Sequence, residues 1–106
     1  MSERQGPLAP VTFESEVIYW RGPSPFFFAP VPAGLAEEIR RLSRFVTYGW
    51  GMIPVDAAIG DVAFYTALFP KDETYLLPLK AAVRRKTRTT AGDVVSIVMT
   101  IKPAQR

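Results

Sequence analysis

The chain has 106 residues, 48% of them hydrophobic, and 13 lysines and arginines against 10 aspartates and glutamates give a net charge of +3, which slightly favours an anionic partner. This length fits one domain, and the composition is too apolar for an intrinsically disordered chain. Cysteine and histidine do not occur, which excludes disulfides, thiolate chemistry, serine–histidine catalysis and metal sites that use either residue.

The N-terminal part of the chain predicts a tail and two strands. Residues 1–10 are polar and include prolines, so we expect a disordered tail before a single domain over 11–103. Apolar and polar residues alternate over 11–19, which predicts a strand with one face in water. Glycine and prolines over 20–25 predict a turn, and the aromatic run over 26–29 predicts a short buried strand.

A helix is predicted after Pro30 and Pro32. Its apolar residues follow helical spacing and therefore share one face. They are Leu35, Ile39, Leu42 and Val46. The glutamates of this segment precede its arginines, an order that suits the helix dipole. We expect about three turns, ending at Gly49, which can adopt the left-handed backbone conformation that often closes a helix.

The rest of the chain predicts four strands and a short helix. The strands are expected over 51–59, 62–69, 74–77 and 94–102. The turn pair Gly60-Asp61 should join the first two as a hairpin. Pro78 should begin a helix of about two turns that ends at Lys86. In the last strand, alternate residues should point inward: Val95, Ile97, Met99 and Ile101.

These elements indicate a mainly β protein with about six strands, one helix of about three turns and one short helix. We expect a small barrel, and the alternative is an α+β sandwich. A pattern of strand, proline, helix, glycine and strand occurs twice. Superposing Pro32 on Pro78 places Arg40-Arg41 near Arg84-Arg85. The chain is therefore expected to contain two similar halves.

The second half reads LLPLKAAVRRK and then AGDVVSIVM. This pattern resembles the swapped-hairpin halves of the AbrB/MazE family, in which two chains close a double-split β-barrel. From Phe13 to Lys102 the chain is similar to a bacterial domain-of-unknown-function family, through its FFFAPVP segment, its Gly60 hairpin and its Gly92-Asp93-Val94 turn. That resemblance implies a double-split barrel from one chain and relatives fused to a bacteriocin-protection (OmpD-associated) domain. It implies no activity.

Two basic clusters are candidates for binding nucleic acid. They comprise Arg40, Arg41 and Arg44 in the first helix and Lys80, Arg84, Arg85, Lys86 and Arg88 in the second. Each cation could neutralise a phosphate, and each such contact would steepen the salt dependence of binding. The alternative is a solvated helix face whose arginine side chains cover apolar surface.

Four further residues are candidates for binding a small ligand. They are Trp20, Arg21, Trp50 and Tyr65. Aromatic and guanidinium groups at a barrel mouth could stack on a ligand or pair with a carboxylate. The alternative is that both tryptophans fill the ends of the barrel.

The expected function is that of a non-enzymatic binding module for an unknown small molecule or protein, with no metal and no cofactor. The alternative is a nucleic-acid-binding protein that uses arginine-rich helices as AbrB-type proteins do. An enzyme that uses carboxylates such as Glu14 and Glu16, or a lysine such as Lys80, is a third possibility. No apolar stretch reaches the length of a membrane span or signal peptide. We therefore expect a cytoplasmic protein, monomeric or weakly self-associating.

Overall fold

The computed structural model describes residues 10–21, 26–46 and 51–102, and for 43–46 it describes the backbone alone. These residues form seven strands and two helices. The strands are β1 (Val11–Glu16), β2 (Ile18–Trp20), β3 (Phe26–Pro30), β4 (Ile53–Ile59), β5 (Val62–Lys71), β6 (Thr74–Pro78) and β7 (Val94–Ile101), and the helices are α1 (Ala33–Val46) and α2 (Ala81–Thr87). The prediction of a mainly β protein with one longer and one short helix is confirmed, with one strand more than expected.

The strands follow the order β1-β7-β4-β5-β6-β3-β2, and each neighbouring pair is antiparallel. Strand β5 bends between two sheets, because its first part pairs with β4 and its residues Phe69–Lys71 pair with β6. The chain bends again at Val17, where β1 of the first sheet continues into β2 of the second. The Ser15 hydroxyl donates a 2.6 Å hydrogen bond to the Pro30 carbonyl. This bond ties β1 to β3 within the curled, barrel-like sheet.

Inward-pointing side chains of both sheets fill the interior. All four residues predicted to point inward from β7 are buried, and Val94, Ser96 and Val98, which alternate with them, are exposed. The same core cluster contains Ile53 of β4 and Leu68 of β5, neither of which is exposed to solvent. The period of two that predicted these strands is therefore set by burial of one face.

Turn and helix signals were also informative. Gly60, at a φ of 59°, joins β4 and β5 as predicted. In α1, Ile39 is buried and Leu35 is half-buried, as the helical spacing predicts. The helix runs for 14 residues, about four turns. Helix α2 begins three residues after Pro78, which itself ends β6, so the predicted start of this helix was too early.

The expectation of two similar halves is supported by reciprocal hydrogen bonds. The Val31 amide donates to the Tyr75 carbonyl and the Leu79 amide donates to the Phe27 carbonyl, both at 2.9 Å. When the two halves are superposed, Val31 corresponds to Leu79 and Phe27 to Tyr75, so each bond is the counterpart of the other. Pro30 is then the counterpart of Pro78. The superposition of Pro32 on Pro78 was therefore wrong by two residues, because the equivalent proline is the one that ends the strand.

The same relationship extends through the whole barrel. Ile18 of β2 pairs with Phe28, and Phe69 of β5 pairs with Leu76. Because Phe28 and Leu76 are counterparts, β1 and β2 together correspond to the long strand β5. The matched residues are Val11 with Val62, Phe13 with Phe64, Ser15 with Thr66 and Val17 with Leu68. Each half thus contains a bent strand, a short strand, a helix and a final strand.

Candidate functional site

Arg84 of α2 is held in one place by two contacts. Its Nε donates a 3.0 Å hydrogen bond to the Leu79 carbonyl, and its guanidinium carbon lies 3.8 Å from the centre of the Phe27 ring. That ring also contacts Tyr19, at 4.9 Å between centroids in an edge-on arrangement. A stacked guanidinium with one fixed N–H keeps its remaining donors in a defined plane.

This arginine borders a cavity of about 320 Å³, which we call the basic groove. The groove is lined by Phe26, Phe27, Pro78, Leu79, Lys80, Ala81 and Arg84. Among the described residues, no carboxylate forms an ion pair with Lys80 or Arg84. Two cations beside an apolar floor can bind a carboxylate or phosphate whose attached body is apolar, and Arg84 can do so through two parallel hydrogen bonds.

The equivalent positions in the other half of the barrel carry no charge. Pro32 is the counterpart of Lys80, and Ala36 is the counterpart of Arg84. Both pairs make the same backbone bond, from Ala36 to Pro32 at 2.8 Å and from Arg84 to Lys80 at 3.0 Å. Ala36 is fully buried. The fold therefore does not require cations at these positions, and the two cations of the basic groove come from one half alone.

A second surface feature adjoins the groove on the outer face of the second sheet. Directly opposite residues of paired strands share a face, which places Ile18, Trp20, Phe26, Phe28 and Phe69 together. We call these five residues the aromatic patch. Three aromatic rings of the patch surround that of Phe28, at centroid distances of 5.9 Å for Trp20, 5.9 Å for Phe26 and 6.3 Å for Phe69.

Phe28 is buried at the centre of the aromatic patch but lies outside the barrel core cluster. Its neighbours remain open to solvent, with Phe26 51% exposed and Trp20 and Phe69 each 39% exposed. The Lys71 ammonium lies 4.5 Å from the centre of the Trp20 ring, at one side of the patch. The buried strand expected over 26–29 thus has an exposed first residue, because its outer face lacks a covering helix in the described part of the chain.

Three of the four predicted ligand residues are described, and Tyr65 lies apart from the adjacent Trp20 and Arg21. Trp20 and the exposed Arg21 lie at the end of β2 opposite Phe26, which lines the basic groove. Tyr65 lies on the first sheet opposite Asp56 and is 58% exposed. Trp50 lies outside the described residues. Trp20 belongs to the outer patch and not to the barrel core.

The first basic cluster is divided in the structure. Arg40 donates a hydrogen bond from its Nη2 to the Glu73 carbonyl. Burial raises the pKa of the Tyr75 hydroxyl above its ordinary value of 10.0, and the positive charge of Arg40 opposes this shift. Arg41 is exposed, and the side chain of Arg44 lies outside the described residues. These contacts connect α1 with the turn before β6.

The second basic cluster presents most of its charges to solvent. Arg85, Lys86 and Arg88 are exposed, as is Lys80. Arg88 adopts a φ of 56°, and its amide closes α2 by donating to carbonyls of the last turn. Only Arg84 of this cluster is half-buried. The cluster is therefore divided, with Lys80 and Arg84 lining the basic groove and Arg85, Lys86 and Arg88 exposed at and beyond the last turn of α2.

Acidic residues do not form a comparable site. Glu14 and Glu16 are exposed on the outer face of β1. Among the described residues there is no group of three acidic side chains that could hold a metal ion. None of the described helices is long and apolar enough to cross a bilayer.

Sequence reasoning missed Phe26 and Phe27 as site residues. Both were assigned to a buried strand, and their contact with Arg84 depends on the pairing of β3 with β6, which are far apart in the chain. The hydrogen-bonded register places Phe28 opposite Pro78 and thereby brings Phe27 beside the start of α2. A correct alignment of the two halves would have singled out Lys80 and Arg84, because their counterparts are uncharged.

Residues 13–99 match the family described as Domain of unknown function (DUF1905). The match spans most of the chain, and the protein belongs to this family. No curated protein matches the chain. The family description names no activity, and the basic groove and the aromatic patch are the features that bear on function.

Proposed function

We propose that this protein is a non-enzymatic binding module whose basic groove takes the charged group of a small organic anion. One observation carries the proposal: Arg84 is fixed between the Leu79 carbonyl and the Phe27 ring, and no described carboxylate pairs with it. An arginine held in this way loses little conformational entropy when it binds a ligand. Its position therefore suits recognition better than that of a mobile surface arginine.

The lining of the groove favours an organic anion over an inorganic one. Phe26, Phe27, Pro78 and Leu79 supply apolar surface, and Lys80 supplies a second positive charge at the rim. A volume of about 320 Å³ lies at the small end of ligand pockets, which span roughly 300–1,000 Å³. A carboxylate or phosphate monoester with a compact apolar group satisfies both parts of this lining.

Calorimetric titration with benzoate and with its neutral isostere benzamide tests the proposal. We expect the wild-type protein to prefer benzoate, because a hydrogen bond to a charged group contributes about 1.5–3 kcal/mol. Arg84→Gln should remove the preference, a loss of about 10- to 100-fold in benzoate affinity. Arg41→Gln, which removes an exposed charge of α1, is the matched control and should bind as the wild type does. Equal affinity for the two ligands in the wild type would overturn the proposal.

Nucleic-acid binding is the second candidate, and the exposed cations of α2 favour it. Lys80, Arg85, Lys86 and Arg88 face solvent, and none forms an ion pair with a described carboxylate. Each could contact a phosphate. The two-half topology is consistent with the AbrB-like double-split barrel of a bacterial, cytoplasmic protein, and that relationship is part of this second proposal.

A salt-dependent mobility shift separates the two candidates. Nucleic-acid binding predicts an affinity that falls steeply between about 50 and 200 mM salt and weakens in the double variant Arg85→Ala, Lys86→Ala. The benzoate preference should survive that double variant, because neither side chain lines the groove. If no shift occurs with DNA or RNA at low salt, the second candidate is excluded.

A further inference from the structure

We infer that the anion has an extended apolar body, which leaves the basic groove through Phe26 and lies along the aromatic patch. This inference rests on the proposed function, since it assigns the part of the ligand that the groove does not hold. The patch provides an apolar surface that begins at the groove and ends at Lys71. A straight hydrocarbon chain with one terminal carboxylate has the required chemistry.

Phe26 is the residue that joins the two surfaces. It lines the groove together with Phe27 and Arg84, and its ring also lies 5.9 Å from Phe28 at the centre of the patch. From Phe28 the aromatic surface continues to Phe69 at 6.3 Å. A ligand whose charged group is bound by Arg84 would therefore meet continuous apolar surface in one direction.

The size of the patch favours a small ligand over a second copy of the chain. Aromatic side chains have roughly 150–250 Å² of surface each, so the exposed parts of Ile18, Trp20, Phe26 and Phe69 amount to roughly 350 Å². A stable protein–protein interface needs about 800 Å² on each partner. A patch of a few hundred Å² is common at functional sites, and it matches the area that a hydrocarbon chain can cover.

The charges around the patch are consistent with a neutral chain that ends near Trp20. Lys71 lies over the Trp20 ring at 4.5 Å and forms a longer contact of 3.9 Å with Asp72. The aromatic patch itself has no charged member, and Lys71 at its end is already paired with Asp72, so a second anionic group on the ligand would compete with that carboxylate. The inferred ligand is thus a monoanion with a single charged end.

A series of straight-chain carboxylates tests the inference. Dissociation constants of butanoate, hexanoate, octanoate and decanoate would be measured by NMR titration of the full chain, below the concentrations at which these compounds form micelles. Each fully buried methylene contributes about a fourfold gain in affinity. For partial burial on an open patch, we expect about a tenfold gain from hexanoate to decanoate in the wild type.

Two variants separate the patch from the groove. Phe69→Ser should abolish the gain with chain length and leave butanoate affinity unchanged, because Phe69 does not line the groove. Tyr65→Ser, which removes an exposed aromatic residue from the first sheet, is the matched control and should retain the gain. An affinity that is independent of chain length, or a gain that survives Phe69→Ser, would overturn the inference while leaving the groove intact. Failure of every carboxylate to bind would overturn the proposed function as well.

Discussion

Arg84 and Ala36 occupy the same position in the two halves of the barrel, yet Arg84 borders a cavity and Ala36 is fully buried. Each residue donates its amide to the residue four positions earlier, Lys80 in one half and Pro32 in the other. The two positions therefore make the same backbone hydrogen bond but differ in side-chain charge and burial. This difference between the halves is the strongest structural reason to assign a binding role to the basic groove.

Exchanging the side chains of this pair should affect stability unequally. Ala36→Arg would place a charge in a packed interior and should cost more than about 4 kcal/mol of unfolding free energy. Arg84→Ala removes one hydrogen bond and one cation–π contact and should cost about 1–2 kcal/mol. Urea denaturation of both variants measures the difference. Similar costs would contradict the difference in burial between the two positions.

The hydrogen bond from Ser15 to Pro30 should contribute to closure of the barrel. Ser15 is 8% exposed, and Ser15→Ala leaves the Pro30 carbonyl without this donor, at a cost of about 1–2 kcal/mol. Ser96→Ala, an exposed change on the neighbouring strand, is the control and should stay within about 0.5 kcal/mol of the wild type. Thermal unfolding of the two variants should show a lowered midpoint for Ser15→Ala alone.

The strand register predicts which side chains support the core. Leu77 of β6 is not exposed, and Leu77→Ala should destabilise the protein by about 2–5 kcal/mol through lost burial and a cavity. Val98 of β7 points outward and is 45% exposed. Val98→Ala should therefore change the unfolding free energy by less than about 0.5 kcal/mol. A large loss in the Val98 variant would show that this face is covered in solution.

Tyr75 should make stability fall at high pH. Its pKa is raised above 10.0 in the folded protein because burial disfavours the phenolate. At pH values between the pKa of Tyr75 in the unfolded state and its pKa in the folded state, the native protein retains the hydroxyl proton and the unfolded chain loses it. Its contribution to the unfolding free energy is therefore complete below pH 10 and is lost as pH rises through the folded pKa.

Tyr75→Phe removes this titration. The difference in unfolding free energy between the wild type and Tyr75→Phe should be constant from pH 7 to 9 and should shift against the wild type above pH 10. Urea denaturation at a series of pH values measures it. A difference that stays constant up to pH 11 would show that the hydroxyl has the same pKa in both states.

Elements set by local chemistry could be predicted from the sequence. Alternation predicted the inward residues of β7, helical spacing predicted the buried face of α1, and Gly60 marked its hairpin, because each signal depends on neighbouring residues. Strand β2 was missed as a separate element, because the bend at Val17 arises from a change of pairing partner between the sheets. Such a change leaves little trace in local composition.

The candidate site was less predictable for the same reason. Arg84 and Phe27 meet through the pairing of β3 with β6, and the sequence placed them in separate elements. Clustering along the chain grouped Arg84 with the exposed Arg85 and Lys86, whereas the fold separates it from them. Exposure of Phe26 and Trp20 depends on what covers the outer face of the second sheet, which alternation alone does not determine.

The most direct test of the basic groove uses the equivalent positions of the two halves of the barrel as an internal control. Backbone amide shifts would be followed while the 106-residue chain is titrated with benzoate. We predict saturable shifts at Phe26, Phe27, Lys80 and Ala81, and none at the counterparts Thr74, Tyr75 and Ala33. Equal shifts at both sets of positions, or shifts at neither, would contradict the assignment of an anion site to Arg84 and Lys80.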